Sequence, residues 1–195
     1  MKKNFSILVF SMLLSFTINA QTQTSATKFA NLSPSPAAIA YYPHNFAHDR
    51  GDGPKKVGNT VFAKVVYFRP AKKEREIFGK LVPYGKVWRT GANENTELKF
   101  FQDVVIQGKT VKAGSYSLFT IPTETDWTII LNSDLDRWGA FSYKEANDVA
   151  RFTVSSKKTE APVENFTIQF AKSGDKSAVM QLVWDSTLVE LPISF

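Results

Sequence analysis

From residue 60 to the end of the chain, apolar side chains recur at every second position, the spacing that sends alternate residues to opposite faces of a sheet. Phe152 and Val154 alternate with Thr153 and Ser155, and Phe166, Ile168 and Phe170 alternate with Thr167 and Gln169. Met180, Leu182 and Trp184 share a third such face. Residues 61–68 are apolar on both parities, which predicts an interior strand covered on both sides. Gln107-Gly108-Lys109, Ser173-Gly174-Asp175 and Asp185-Ser186 fall between apolar runs, and their Gly, Asp and Ser predict hairpin connections. Residues 72–78 and 143–149 leave room for a turn or two of helix, without a long apolar stripe. About nine strands with minimal helix predict an all-β fold, a single-domain β-sandwich of jelly-roll or immunoglobulin-like type spanning residues 34–195.

The 195 residues include no cysteine, so the core must hold without disulfides. Sixteen phenylalanines supply the apolar area that replaces them. Lys2 and Lys3, an apolar stretch over residues 7–18, and Ala20 before polar Gln21 read as a signal peptide, residues 1–20, too short for a stable membrane span. This predicts an exported protein, periplasmic or secreted, with no transmembrane segment after cleavage. Residues 21–33 are polar and without hydrophobic period, a flexible leader. Ser33-Pro34-Ser35-Pro36 then stiffens the backbone where the folded body begins.

The formal charge of +6 falls to +4 (22 basic minus 18 acidic residues) once Lys2 and Lys3 are removed. These charges are dispersed, whereas a nucleic-acid partner would require a dense basic face set with aromatics. The densest run, Lys72-Lys73-Glu74-Arg75-Glu76, alternates in sign and predicts a solvated face.

The least ordinary segment is Leu81-Val82-Pro83-Tyr84-Gly85-Lys86-Val87-Trp88-Arg89-Thr90-Gly91-Ala92-Asn93-Glu94. Together with Ser35-Pro36, Tyr67 ahead of Arg69-Pro70, Ile77-Phe78-Gly79, the run from Ala113 to Pro122, and Trp138-Gly139, it resembles the bacterial domain-of-unknown-function family 2911 (DUF2911) from about Ser33 to Phe195. Phe68 stands where that family usually has a small residue, and Glu74 where it commonly has glycine. The resemblance implies an exported protein of Gram-negative bacteria, with no established activity and no catalytic residues to carry over.

The same segment reads physically in two ways. Arg89 offers a planar fork of donors for a carboxylate, a phosphate or sugar hydroxyls, and Tyr84 and Trp88 offer flat apolar faces. Asn93 and Glu94 complete that candidate site, with Glu94 orienting Arg89, and Trp138 beside Gly139 adds a second aromatic face. Alternatively Trp88 is core and Arg89 pairs with Glu94 or caps loop carbonyls. The partner is then an unidentified small polar or carbohydrate-like ligand, or a protein, with no cofactor.

Other chemistry has weaker signals. His44 and His48, four residues apart, would share a face if helical, with Asp49 or Asp52 as a further metal ligand, yet no glutamate follows His44 as in a zinc-protease helix. No cysteine nucleophile and no Gly-x-Ser-x-Gly elbow is present. An exported hydrolase using Glu94 or the Asp134 and Asp136 pair, metal-assisted at His44 and His48, is the alternative. The alternating C-terminus ending in Phe195 also fits a small outer-membrane β-barrel, against which Pro192 interrupts the last strand.

Overall fold

The computed structural model describes residues 31–44, 46–51 and 60–195. The expected signal peptide and most of the expected leader lie outside the described residues, as do Asp52 and the side chain of Asp49. Leu32–Phe195 forms one compact unit.

Among the described residues nine strands and one short α-helix follow in chain order: β1 (Ala37–Tyr42), α1 (Phe46–Gly51), β2 (Ala63–Phe68), β3 (Thr96–Phe100), β4 (Val104–Ile106), β5 (Lys109–Val111), β6 (Gly114–Pro122), β7 (Asp126–Asn132), β8 (Asp148–Gly174) and β9 (Ser177–Ser194). They pair in the order β1-β2-β3-β6-β7-β8-β9-β4-β5, a single hydrogen-bonded sheet. Every pairing is antiparallel. The all-β class and the strand number agree with the period-two reading, and one 3-10 turn at Glu145–Asn147 is the helical element expected near Tyr143.

The sheet curls because β8 belongs to both of its halves. Its first part pairs with β7 as far as Ser155, and its remainder pairs with β9 from Ser156 to Gly174. A strand that changes partner in this way turns a corner, so that the two halves of the sheet face each other. The closure is visible in bonds between strands that are not neighbours. The Tyr67 hydroxyl of β2 donates to the carbonyl of Ile168 in β8 at 3.0 Å, and just beyond β2 the Phe166 amide donates to Pro70 O and the Lys72 amide to Glu164 O. Between the halves lies one continuous core, in which Val65, Leu98, Leu118, Ile129, Ile168, Met180 and Leu191 are almost wholly covered.

Local chemistry accounts for the turns. Gln107 and Gly108 both take positive φ (47° and 77°) between β4 and β5, the two-residue geometry that matches the twist of paired strands. Asp175 and Lys176 close the β8-β9 hairpin, as the Ser-Gly-Asp signal predicted. Asp185-Ser186 does not reverse the chain. Asp185 has φ of 51° opposite Val163, where the β8-β9 register shifts, so this pair is a bulge inside β9.

Two further expectations need correction. Residues 72–78 form turns and no helix, because Lys73 and Glu74 both take left-handed φ (48° and 60°), which a right-handed helix does not admit. Glu74 therefore adopts a glycine-like backbone at the position where the resembling family commonly has glycine. β2 is interior in the pairing order, yet only Ala63, Val65 and Tyr67 are buried, while Lys64, Val66 and Phe68 are partly exposed. Its second face lies at the surface.

The burial also bears on the membrane-barrel alternative. Phe152, Val154, Phe166, Ile168 and Phe170 point into the core, and Arg151, Thr153, Ser155 and Gln169 point outward, the reverse of a barrel with a polar lumen and a lipid-facing apolar band. No helix among the described residues is long and apolar enough to cross a membrane.

The closure depends on the Tyr67 hydrogen bond in a testable way. Tyr67→Phe leaves the buried Ile168 carbonyl without its donor and is expected to cost about 1–2 kcal/mol in urea unfolding. An unchanged unfolding midpoint would mean that this bond does not join the two halves.

Candidate functional site

Five large rings pack beneath the site, and two of them, Trp88 and Trp184, line it. Trp88 stacks on Trp184 with centroids 6.0 Å apart and planes 18° from parallel, and meets Phe166 edge-on at 5.1 Å. Phe78 packs against Trp88, Trp127 and Trp184 at 5.9, 4.8 and 6.2 Å. Trp88 is held there by backbone bonds in both directions with Thr120 of β6, and its indole donates to Gly91 O at 3.1 Å. At 7% exposure Trp88 belongs to the core, which corrects its reading as an open stacking face. The cause is that Trp88↔Thr120 bridge, which holds the segment against β6 as a short edge.

The chain then turns sharply. Thr90 and Asn93 take left-handed φ (57° and 56°), and Gly91 at φ 153° passes so close to β2 that a Cβ there would stand 3.0 Å from Phe68 O. Only glycine fits. Thr96 Oγ1 donates to Thr90 O at 2.6 Å, and the Asn95 side chain accepts from the Arg137 amide at 2.7 Å, so the loop is fixed to its neighbours.

Arg89 sits between these two anchored stretches, only partly buried. Its Nε is covered and has no hydrogen-bond partner, and no carboxylate lies within ion-pair distance among the described residues. Burial pushes its pKa below the usual arginine value, because a charge taken from water without a partner is disfavoured. Arg89 also lines two adjoining hollows. The first, about 380 Å³, is walled by Ser35, Lys73, Arg75 and Asn93 over Trp88 and Trp184. The second, about 300 Å³, is walled by Pro83, Lys86, Val87, Ala140 and Phe141.

The structure separates other residues that the sequence placed together. Glu94 does not orient Arg89, because its backbone bridges to Trp138 and its side chain borders a different hollow with Glu97 and Asp136. Tyr84 is turned away to a small cavity beside Phe78, Glu124 and Trp127, its ring against Gly79. Desolvation there, with the nearby Glu124 and Glu76 charges, raises its pKa. Asn93 does reach the first hollow, where its amide donates to Ser33 Oγ at 3.0 Å. Trp138 is 62% exposed and lines neither hollow.

Of the hydrolytic candidates, Glu94 and Asp136 border one hollow and Asp134 does not, and the metal candidates do not gather. Asp134 is held by Arg137 at 2.8 Å, whereas Asp136, at φ 57°, borders the Glu94 hollow without it. α1 begins at Phe46, so His44 precedes the helix that carries His48, and the shared-face geometry does not form. Among the described residues no group of three or more His, Asp or Glu is arranged to hold a metal ion.

Lys73, Arg75, Lys86, Phe141 and Trp184 were not singled out from the sequence. Lys73 and Arg75 are solvated, as their alternating charge run predicted, and they also border the first hollow. Phe141, at 90% exposure, is carried by the loop after β7. That loop is tethered at its far end, where the Tyr143 hydroxyl donates to Asp148 at 2.6 Å and Arg151 bonds both. Two large aromatics close together outside the alternating runs, Trp138 and Phe141 across Gly139, were the available signal.

Two outcomes follow from these positions. Trp88→Ala removes the centre of the ring cluster and is expected to cost about 3–5 kcal/mol, while Phe141→Ala should change stability by less than about 0.5 kcal/mol in the same denaturant series. Tyr143 is pushed up to about 12 from 10.0 by burial and by its bond to Asp148. Because the fold favours the neutral phenol, this contribution to stability is complete below pH 10.0 and is lost as the pH rises through about 12. In an ultraviolet titration Asp148→Asn should lower the pH at which the Tyr143 phenol ionises; no change would contradict the tether.

Among curated proteins and among solved structures none matches the chain. A family model described as a protein of unknown function (DUF2911) matches residues 54–193, which include every strand from β2 to β8, most of β9, and the whole of the Trp88 to Asn95 loop. The chain belongs to the DUF2911 family.

Proposed function

We propose that this is an exported protein that binds a small polar ligand in the first hollow, anchored by Arg89. The observation that carries this reading is the state of the guanidinium: partly buried, without an ion-pair partner among the described residues, and bordering two concavities. A side chain kept for stability alone would be paired with a carboxylate or hydrogen-bonded throughout, since removing a charge from water without compensation is costly. Arginine's planar donors suit a ligand oxygen, and the rigid loop supplies preorganisation, as Thr96, Asn95 and Gly91 fix the backbone on either side of it. Asn93 and Ser35 add neutral polar groups, and Trp88 with Trp184 supplies an apolar floor. The charged, apolar N-terminal segment supports export, so the ligand would be met outside the cytoplasm.

Stability and binding should separate at this residue. Arg89→Met is expected to leave the thermal midpoint unchanged or raised, because the variant removes an uncompensated charge, while ligand binding in a calorimetric panel is lost. A variant that unfolds, with no ligand found for the parent protein, would assign Arg89 to packing instead.

A further inference from the structure

The two hollows that meet at Arg89 differ in character. The first is ringed by three cations, Lys73, Arg75 and Arg89, and the second, which shares Arg89, is mostly apolar, with Leu81, Pro83, Val87 and Phe141 around one further cation, Lys86. Among the described residues neither has an acidic side chain in its lining. Arg75 donates to the carbonyls of Lys72 and Ala71, which orients its guanidinium and leaves its charge uncompensated. Lys72, by contrast, is neutralised by Asp185 at 3.2 Å and stays outside the lining. Among the described residues none of Lys73, Arg75, Lys86 and Arg89 has a carboxylate within ion-pair distance. The cations bordering each hollow repel one another, three in the first and two in the second, and that repulsion is relieved by an anion.

Phe141 adds the second requirement. A ring almost wholly in water beside a concavity of about 300 Å³ gains by covering an apolar body, and Leu81 is exposed next to it. Trp88 and Arg89 line both hollows, so an anionic group at Arg89 would leave its substituent free to enter the apolar side.

We propose that the ligand is an organic oxyanion with an apolar substituent, its charged head among Lys73, Arg75 and Arg89 and its body under Phe141. This rests on the binding reading above and specifies the class of ligand. Phosphate and carboxylate heads share the required chemistry. A dianionic phosphate matches three cations better than a single carboxylate does, and arginine engages either one bidentately.

Calorimetric titration with phenyl phosphate, benzoate, inorganic phosphate, benzyl alcohol and glucose tests it. Phenyl phosphate should bind more tightly than inorganic phosphate or benzyl alcohol, and raising the salt should weaken it. Arg89→Gln should weaken phenyl phosphate by about tenfold or more, the usual consequence of losing a charge-assisted bond. Phe141→Ala, at a position where folding is not at stake, should weaken phenyl phosphate and leave inorganic phosphate unchanged. Benzoate binding as tightly as phenyl phosphate would keep the organic-anion class and assign the head to a carboxylate. Benzyl alcohol binding as well as phenyl phosphate, or Phe141→Ala without effect on it, overturns the proposal. Glucose bound through Arg89 while neither organic anion binds also overturns it, yet keeps the broader binding reading. No heat with any probe, together with an unfolded Arg89→Gln, removes both.

Discussion

The fold depends on a ring cluster that sits where the sheet closes on itself. Trp127 comes from β7, Phe166 from β8 and Trp184 from β9, while Phe78 and Trp88 come from the long connection between β2 and β3. Edge-to-face and stacked contacts of this kind contribute about 0.5–1.5 kcal/mol each beyond the area that they bury. They add to the aliphatic core that the two halves of the curled sheet share, and to the bonds that Tyr67 and the residues beyond β2 make across it. In a chain with no disulfide, this cluster does the stapling.

The same cluster shapes the surface above it. By holding Trp88 inside, it brings Arg89 to the boundary between core and solvent, and Gly91 then forces the chain hard against β2. The Nε of the guanidinium is covered, and Glu94 is carried off by the bridge to Trp138. A stable core and an unsatisfied cation are thus two results of one packing arrangement. Proteins tolerate such local cost where a ligand recovers it.

The charges near the hollow show a division of labour. Lys72, Lys112, Arg137, Arg151 and Lys157 all have carboxylate partners, mostly at exposed positions where such pairs add little. Lys73, Arg75, Lys86 and Arg89 have none among the described residues, and they border the two adjoining depressions. The net positive charge of the chain is dispersed in sequence and locally concentrated in space.

Strand content, the buried parity of Phe152 to Trp184, and the turns at Gly108 and Gly174 were legible along the chain, because a period of two and a glycine or aspartate at a turn are local properties. Asp185-Ser186 carried the same composition as a hairpin and became a bulge, since the strand on either side keeps its partner β8. The cluster from Tyr84 to Glu94 was recognisable as unusual, and Arg89 and Asn93 within it do meet at one hollow. That Tyr84 and Glu94 leave for other hollows, and that Lys73, Arg75 and Phe141 arrive from distant segments, depended on how the sheet curls and where the loops are pinned. Alternation is written in neighbouring residues, whereas the company of a side chain across the fold is set by long-range packing, which no local pattern encodes.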